Sequence, residues 1–317
     1  MAAQDERGGV VAGFDGSDQA REAVWWAAAE AATRRCPLLV LQAEPLPVAT
    51  VAHGWGPVTA PSWGTPMVTA WDPAVLLSDE RVRQHTEERL SALGEELRAG
   101  VPGITVATSY QDGRPATALA ETAADRDAAL LVLGATGLGA LPRMLLGSTA
   151  AELVHETDRP VIVVRHAAAT EQAPAPPADA PVVVGVDGTG ASDAAVEFAF
   201  DFAARHRCPL HAVHARSDRP LDVLAAAGVW DRAPDQEPVT DDVTDRLLGG
   251  RRHPDVPVRT DIVGDRPARA LVERSERARL LVVGDRGHGR VHRALLGSVS
   301  HAAMYHAPCP VAVVTPR

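Results

Sequence analysis

Short runs of Val, Leu, Ile and Ala alternate along the chain with longer stretches in which Ala and charged residues are mixed. The runs of the first half lie at 9–14, Leu38–Ala43, Ile104–Thr108, Ala129–Leu133 and Val161–Val164. Continuous apolar runs of this length are typical of strands buried on both faces of a parallel sheet. The alternation of strands with helices therefore predicts a doubly wound α/β fold, with helices on each side of the sheet.

The stretches between these runs carry start signals for helices. Asp15-Gly16-Ser17 predicts a turn and the beginning of a helix over 18–35. Ser78 can cap a charged helix that runs to about Ala99, and Pro115 suits the first turn of another. One more helix is predicted over Ser148–Glu156, and the second half follows the same order of elements.

Four blocks of the first half recur in the second. The pairs are Val11–Ser17 with Val183–Thr189, Cys36–Leu38 with Cys208–Leu210, Leu131–Gly134 with Leu281–Gly284, and Leu145–Ser148 with Leu295–Ser298. The first two pairs are 172 residues apart and the last two 150, so the first half carries 22 extra residues between them. Repetition over this length indicates a duplicated domain rather than a short-period solenoid.

The duplication sets the predicted domain organisation. We predict a first domain over 1–166 and a second over 181–317, each with a five-stranded parallel sheet. Residues 167–180 are rich in Pro and small residues without apolar periodicity, which is typical of an extended linker. The segment 44–71 interrupts the first domain with several Pro and Gly and with Trp55, Trp63 and Trp71. It is either a lid or contact arm, or an insertion packed passively on the surface.

Composition narrows the classes of function. The net charge of −10 argues against a broad surface for nucleic acid or for anionic membranes. All 31 basic residues are Arg, so a phosphate-loop lysine, a kinase lysine and a Schiff-base lysine are all excluded. Any phosphate must therefore be held by backbone N–H groups, hydroxyls or Arg.

The cysteines and the first residues of the chain indicate in which cellular compartment the protein is expected. The three cysteines have no metal-ligand spacing and are odd in number, which favours structural thiols in a reducing compartment. The first residues lack the apolar core of a signal peptide, and no apolar run has the length of a spanning helix. We therefore expect a cytoplasmic protein.

A glycine-rich loop follows the fourth predicted strand of each half. Gly134-Ala135-Thr136-Gly137 is separated by nine residues from Gly147-Ser148-Thr149, where a helix begins. The second half has Gly284-Asp285-Arg286-Gly287, nine residues, and then Gly297-Ser298-Val299-Ser300. Glycine lets the backbone approach a ligand closely, and free N–H groups at a helix start favour a phosphate. In a doubly wound sheet, this loop and Asp15 would meet beyond the carboxyl ends of the strands.

The spacing Gly-x2-Gly-x9-Gly-(Ser/Thr), with an upstream strand-Asp-Gly in both halves, resembles the universal stress proteins. The resemblance covers nearly the whole chain. The chain looks like the tandem two-domain branch of that family. It implies flavodoxin-like (Rossmann-like) domains that bind ATP, with Mg²⁺. It further implies an intramolecular pseudo-dimer of the two halves, and a homodimer of the chain remains open.

The resemblance also assigns roles by position. Asp15 and Asp187 would lie beside the ribose and any Mg²⁺, and the backbone at Ala43 and Ala215 would face adenine. The phosphate-lining residues would be Gly134, Gly137, Gly147, Ser148 and Thr149 in the first half, and Gly284, Gly287, Gly297, Ser298, Val299 and Ser300 in the second. Arg143 and Arg293 occupy matching places in the nine-residue spans and either reach phosphate or lie solvated. No metal site made by protein groups alone is implied.

These assignments have structural alternatives. Asp15 and Asp187 could serve only as helix caps, and the glycines could serve only tight packing of strand against helix. The halves also differ: Thr149-Ala150 stands where the second half has Val299-Ser300, so one hydroxyl has moved or been lost. Asp285 would repel phosphate unless Mg²⁺ or Arg286 offsets its charge.

The sequence offers no catalytic constellation. His288, His292, His301 and His306 lie close together in sequence, but neither a Ser-His-Asp pattern, a His-Glu-x-x-His motif nor a nucleophile elbow accompanies them. We expect a nucleotide-dependent regulator or sensor in the stress response, with little or no turnover. The alternatives are a slow ATPase or nucleotidyl-transfer enzyme, and an interaction module with vestigial loops that dimerises through Pro160–Val164 and Pro310–Val314.

Overall fold

A computed structural model describes residues 8–44, 73–137, 146–165, 177, 179–188, 192–215, 253–285 and 297–316, with the side chains of the second helix from residue 80 onward. The first half contains β1 Val10–Gly13, α1 Asp18–Arg34, β2 Leu38–Glu44, α2 Pro73–Gly100, β3 Val106–Asp112, α3 Pro115–Asp125, β4 Leu130–Gly134, α4 Ser148–Glu156 and β5 Val161–Val164. The second contains β6 Val182–Val186, α5 Asp193–His206, β7 Leu210–Ala215, β8 Val258–Val263, α6 Pro267–Arg274, β9 Leu280–Gly284, α7 Ser298–His306 and β10 Val311–Val314.

Within the described ranges the predicted elements are confirmed, with two differences of more than one residue in their bounds; the second-half counterpart of α2 lies outside these ranges. The strand predicted over Ile104–Thr108 begins at Val106 and continues to Asp112, because residues 109–112 pair with the end of β2 although their side chains are polar. A search for apolar runs misses such residues, because β3 lies at the edge of the sheet and has a neighbouring strand on one side only. The helix predicted from Ser78 begins five residues earlier, at Pro73, where proline suits a first turn.

The described strands form one sheet in the order β3-β2-β1-β4-β5-β10-β9-β6-β7-β8. Within each half all strand pairs are parallel, as predicted for a doubly wound fold. The halves meet where β5 and β10 pair antiparallel, with Ile162 opposite Ala312. The segments Pro160–Val164 and Pro310–Val314 are therefore not edges open to another copy, because each strand already lies between two neighbours in the chain's own sheet.

Helices cover both faces of the sheet. One core contains residues of α1, α2 and α5, and the other contains residues of α3, α4, α6 and α7. On the first face, Trp26 of α1 stacks on Phe202 of α5 with ring centroids 6.4 Å apart. The two halves therefore share a hydrophobic core as well as strand hydrogen bonds.

A buried carboxylate lies at the same junction. Glu30 of α1 is 2% exposed and accepts from Arg34 Nε at 2.5 Å. It also contacts His206 Nε2 of α5 at 2.7 Å, and Arg205 lies 3.8 Å away. Burial by itself would raise the pKa of Glu30, but the hydrogen bond with His206 and the charge of Arg34 outweigh it and lower that pKa. The carboxylate is thus held ionised between the two halves.

Candidate functional site

The turn after β1 is built by Asp15, Gly16 and Ser17. Gly16 has a φ of +88°, a conformation that L side chains rarely adopt, and Gly188 repeats it in the second half with a φ of +77°. The Ser17 N–H donates to Asp15 Oδ1 at 2.9 Å, while the Ser17 hydroxyl accepts from the Ala20 N–H at 3.1 Å. Ser17 is therefore the cap of α1, and Asp15 is a turn residue rather than the helix cap of the alternative interpretation.

The loop after β4 returns to the end of the sheet. The Ala135 N–H donates to the Val164 carbonyl at 2.8 Å, and the Ala135 carbonyl accepts from the Gly147 N–H at 2.7 Å. The second half repeats both bonds through Asp285, with its N–H to the Val314 carbonyl at 3.0 Å and its carbonyl to the Gly297 N–H at 2.9 Å. In both halves the helix that follows the nine-residue span therefore begins beside the residue that directly follows β4 or β9.

Asp15 and the glycine loop, residues 134–137, are in contact. A Cβ placed on Gly137 would lie 2.3 Å from Asp15 Oδ2, so this carboxylate oxygen lies directly against the Gly137 backbone. Gly134 has a different neighbour: a Cβ there would lie 3.0 Å from the Ala20 nitrogen, in the first turn of α1. The predicted meeting of Asp15 with the loop is thus observed, and the surroundings of Gly134 show the tight packing of strand against helix that its alternative role requires.

An open cleft lies at this end of the first half. Its lining residues are Gly13, Phe14, Asp15, Ala20, Leu41, Ala43, Pro115, Leu119, Leu133, Gly134, Thr136, Gly137 and Thr149. Five of the residues assigned from the sequence are among them, namely Asp15, Ala43, Gly134, Gly137 and Thr149. The apolar wall from α3, including Leu119, was not predicted. The position of Pro115 directly after a strand was the signal that could have indicated it, because the carboxyl ends of all parallel strands lie on this side.

The backbone of Ala43 faces the cleft. The Leu41 carbonyl accepts from the Phe14 N–H at 2.9 Å, where β1 has already ended. Peptide groups along a strand point alternately to its two neighbours, so the N–H and C=O of Ala43 point the same way as those of Leu41. Beyond the end of β1 they offer one donor and one acceptor to a planar ring. Ala215 has the equivalent position on β7.

The first turns of α4 and α7 present backbone N–H groups. Gly147 and Gly297 precede them with nearly the same backbone angles, and neither helix has a side-chain cap or an acidic residue in its first turn. The uncapped N–H groups at such a terminus, with the positive end of the helix dipole, attract an anion. Ser148 and Ser298 are exposed at this point.

The two halves differ in their hydroxyl groups. Thr149 lines the cleft, but its counterpart Val299 packs against the apolar core of its own half. Ser300 does not compensate, which corrects its assignment as a phosphate-lining residue. It is 3% exposed, and its hydroxyl donates to the Gly284 carbonyl at 2.5 Å. The hydroxyl has therefore been lost from the second site rather than moved within it.

The remaining assignments divide into described and undescribed residues. Asp187, Ala215 and Gly284 lie at the ends of their strands, as predicted. Asp285 is 8% exposed and occupies the place of Ala135. His301 is exposed and stacks on Tyr305 with centroids 4.4 Å apart, which suits the interpretation of surface histidines. The residues that lie outside the described ranges are Gly287, Arg143, Arg293, Arg286, His288 and His292, together with most of the 44–71 insertion and of the linker.

The cysteines match the expectation of structural thiols. Cys36, Cys208 and Cys309 are all free, and burial raises the pKa of Cys309 to about 12. Within the described ranges, no group of three or more His, Cys, Asp and Glu side chains is arranged to hold a metal ion. Among the same residues, none of the helices has both the length and the apolarity needed to cross a membrane.

Sequence comparison finds relatives along the full chain. The sequence model of the universal stress protein family matches residues 8–165 and again 180–315. Universal stress protein Rv2005c of Mycobacterium tuberculosis is 37% identical over 316 residues, covering 99% of both chains. Universal stress protein Rv2623 of the same species is 36% identical and covers 96% of this chain and 95% of its own.

Solved structures share the fold. A universal stress protein from Archaeoglobus fulgidus superposes with a TM-score of 0.65 at 19% identity, over 98% of this chain and 99% of its own. A functionally unknown protein from Pseudomonas aeruginosa superposes with a TM-score of 0.57 at 14% identity, over 99% and 94% of the respective chains. At these identities the similarity concerns the flavodoxin-like architecture.

Proposed function

Since the chain belongs to the universal stress protein family, we propose that it acts in the stress response as an ATP-binding regulator with little or no turnover. ATP, accompanied by Mg²⁺, would bind at the carboxyl ends of the strands in each half. The first half has the more complete site. The observation that supports this most directly is the contact of Asp15 with Gly137 at the mouth of the cleft.

The residues along the cleft suit the adenine, the ribose and the phosphates of ATP in that order. Adenine would lie against the side chains of Leu41 and Leu133, with its polar edge toward the Ala43 backbone. The ribose would lie beside Asp15, whose Oδ2 faces the loop. The phosphates would lie between Gly137 and the uncapped N–H groups of α4, near the Thr149 hydroxyl. Backbone donors and one hydroxyl replace the lysine that this chain lacks.

The same residues argue for binding rather than hydrolysis. Among the described residues that line the cleft, Asp15 is the one titratable side chain, and its Oδ1 accepts from the Ser17 N–H. Hydrolysis of ATP requires a positioned water and stabilisation of the charge that develops on the transferred phosphoryl group. A slow ATPase would need those groups from residues outside the described ranges.

Calorimetric titration with ATP and Mg²⁺ tests the proposal, after mass spectrometry has shown that the purified protein carries no nucleotide. We expect saturable binding of one or two ATP per chain without a matching release of phosphate. Stoichiometric phosphate release would favour the ATPase. No heat from a folded, empty protein would favour an interaction module with vestigial loops.

The double variant Gly147→Ala with Gly297→Ala tests the placement of the phosphates. A methyl group at Gly147 would lie 3.4 Å from the Ala135 carbonyl oxygen and 3.8 Å from the Gly137 nitrogen. It would therefore fit the folded chain but occupy the space between the start of α4 and the Gly137 backbone, where the phosphates would lie. We expect the variant to fold and to lose ATP binding in the same titration. Binding as tight as that of the parent would contradict the assignment of the loop.

We also propose that the two halves act as an intramolecular pseudo-dimer. The antiparallel pairing of β5 with β10 supports this, because it relates the two clefts through a shared sheet. Sedimentation velocity would show whether the chain is a monomer with two sites or associates further into a homodimer.

A further inference from the structure

Three side chains at the start of α1 each accept a hydrogen bond from a backbone N–H. Asp15 and Ser17 accept from residues of their own turn, at 2.9 and 3.1 Å. The third, Gln19, accepts at its Oε1 from the N–H of Thr136 at 3.0 Å, across 117 residues of sequence. Gln19 therefore reaches the glycine loop of the proposed site from this turn, as Asp15 does at Gly137.

The contact is possible because α1 and β4 approach each other closely. A Cβ on Gly134 would lie 3.0 Å from the backbone carbon of Gln19, which leaves no space for a side chain between helix and strand. The close approach brings the loop within the reach of one glutamine side chain. The loop is then held on both sides of Thr136, since Gly137 lies against Asp15 and Ala135 donates to Val164.

The second half has a different residue at the position of Gln19. The C-terminal ends of the two helices correspond with a spacing of 172 residues, since Arg35 and Arg207 both follow them in the left-handed conformation. The counterpart of Gln19 at that spacing is Ala191, whose methyl group accepts no hydrogen bond. The glutamine at this position is thus found in the half that also keeps the Thr149 hydroxyl.

We propose that Gln19 is a positioning residue that preorganises the glycine loop of the first-half site for the phosphates of ATP. This inference rests on the proposed function. A loop that is already ordered loses less conformational freedom when the ligand binds, so that more of the interaction energy appears as affinity. Gln19 acts through the Thr136 backbone and not by touching the ligand.

The test compares wild-type protein, Gln19→Ala and Gln19→Glu in titrations with ATP and with adenosine. Selective ¹⁵N labelling of Thr gives a reporter for the first-half site, the Thr136 amide signal, assigned by its loss in Thr136→Ser. Gln84→Ala is the matched control, because the Gln84 side chain lies exposed on α2 and bonds to Glu88 of its own helix.

We expect Gln19→Ala to bind ATP roughly five- to tenfold more weakly, the equivalent of one hydrogen bond. Adenosine, which has no phosphates, should bind as to the wild type, and the free energy of unfolding should fall by no more than about 1 kcal/mol. In the free protein the Thr136 amide should exchange faster in Gln19→Ala but remain protected in Gln19→Glu, whose carboxylate still accepts the bond. The Gln84→Ala control should match the wild type throughout.

Two outcomes would overturn this inference while leaving the proposed function intact. One is unchanged ATP affinity in Gln19→Ala. The other is an equal loss of ATP and adenosine affinity with a larger fall in the free energy of unfolding, which would mean that Gln19 only supports the fold. A wild-type chain that binds neither ligand would refute the proposed function itself, and this inference with it.

Discussion

At the scale of single residues, the three glycines of the Gly-x2-Gly-x9-Gly spacing have different surroundings. Gly134 is enclosed by the backbone of α1, Gly137 by the carboxylate of Asp15, and Gly147 by nothing closer than 3.4 Å. Sequence spacing treats all three alike, as positions where backbone approaches a ligand. The surroundings show that the first is required for packing, while the last is free to serve a ligand.

The substitutions Gly134→Ala and Gly147→Ala should therefore differ in their effect on stability. At Gly134 the methyl group meets backbone atoms at 3.0 to 3.1 Å, so helix and strand must separate. We expect a loss of about 1–3 kcal/mol in the free energy of unfolding. At Gly147, alanine is a weaker helix cap than glycine, but it also lowers the entropy of the unfolded chain. Because these effects oppose each other, we expect the free energy of unfolding to change by less than about 1 kcal/mol. Urea denaturation of both variants measures the difference. Equal losses would mean that α1 does not pack on Gly134 as described.

At the scale of elements, α4 and α7 are equivalent helices whose first turns differ after the first serine, with Thr149-Ala150 in α4 and Val299-Ser300 in α7. Both begin after a glycine, both lack a side-chain cap, and both run for nine residues. Thr149 faces the cleft where α7 carries Val299, and Ser300 points its hydroxyl to Gly284. The backbone donors of the two sites are thus alike, and the side-chain donor is present in the first half.

Exchanging Thr149 and Val299 between the halves should lower the ATP affinity of the first site and raise that of the second. We expect Thr149→Val to weaken ATP binding at the first site roughly tenfold, because a hydrogen bond to a charged group is lost. Val299→Thr should strengthen binding at the second site, and both changes keep a β-branched residue in the helix. Calorimetric titration of each variant separates the two sites. Ser300→Ala serves as the control: it should cost about 1 kcal/mol of stability through its buried bond while leaving ATP affinity unchanged.

At the scale of the whole molecule, the halves are joined by more than the β5–β10 pairing. Glu30 lies buried between α1 and α5, and Arg165 at the end of β5 donates to the carbonyls of Met304, at 2.7 Å, and of Tyr305 at the end of α7. Both contacts connect an element of one half to an element of the other. The stability of each half should therefore depend on the presence of its neighbour.

Replacing Glu30 should weaken this connection. Glu30→Gln removes the charge that faces Arg34 and weakens the hydrogen bonds that Glu30 forms with Arg34 and His206. We expect a loss of roughly 1–3 kcal/mol, smaller than for a fully buried pair because Arg34 and His206 keep some contact with water. Urea denaturation measures it. Glu96→Gln is the control, because Glu96 pairs with Arg21 on the exposed surface and should change stability by less than about 1 kcal/mol. Equal losses in the two variants would show that the buried position of Glu30 between the two halves adds nothing to stability.

The contribution of Glu30 should depend on pH in one direction. Its pKa in the folded chain is lowered from the ordinary value of 4.5. The stabilisation is therefore complete above the pKa of the unfolded chain and disappears as the pH falls through the folded pKa. The difference in stability between wild type and Glu30→Gln should narrow as the pH is lowered from about 7 to about 3. A difference that stays constant over this range would contradict the ionised, paired state of Glu30.

Much of the molecule was determined by local sequence. The apolar runs placed the strands, Asp15-Gly16-Ser17 placed a turn and a helix start, and the two glycine spacings placed the loops. These features need only neighbouring residues, since strand burial, helix capping and left-handed turns are set by the chain within a few positions. The duplication likewise followed from the sequence alone.

Other features depended on which groups lie opposite one another in space. The Gln19–Thr136 bond joins residues 117 apart, and the Glu30–His206 contact joins residues 176 apart. Neither has a pattern in the sequence, because a single polar side chain in a helix is compatible with many partners. The inward direction of Ser300 and the enclosure of Gly134 were decided by how closely helix and strand pack. The sequence by itself thus determined the two loops and their helices, whereas tertiary packing decided that Gln19 bonds to the first loop and that the Thr149 hydroxyl faces the cleft.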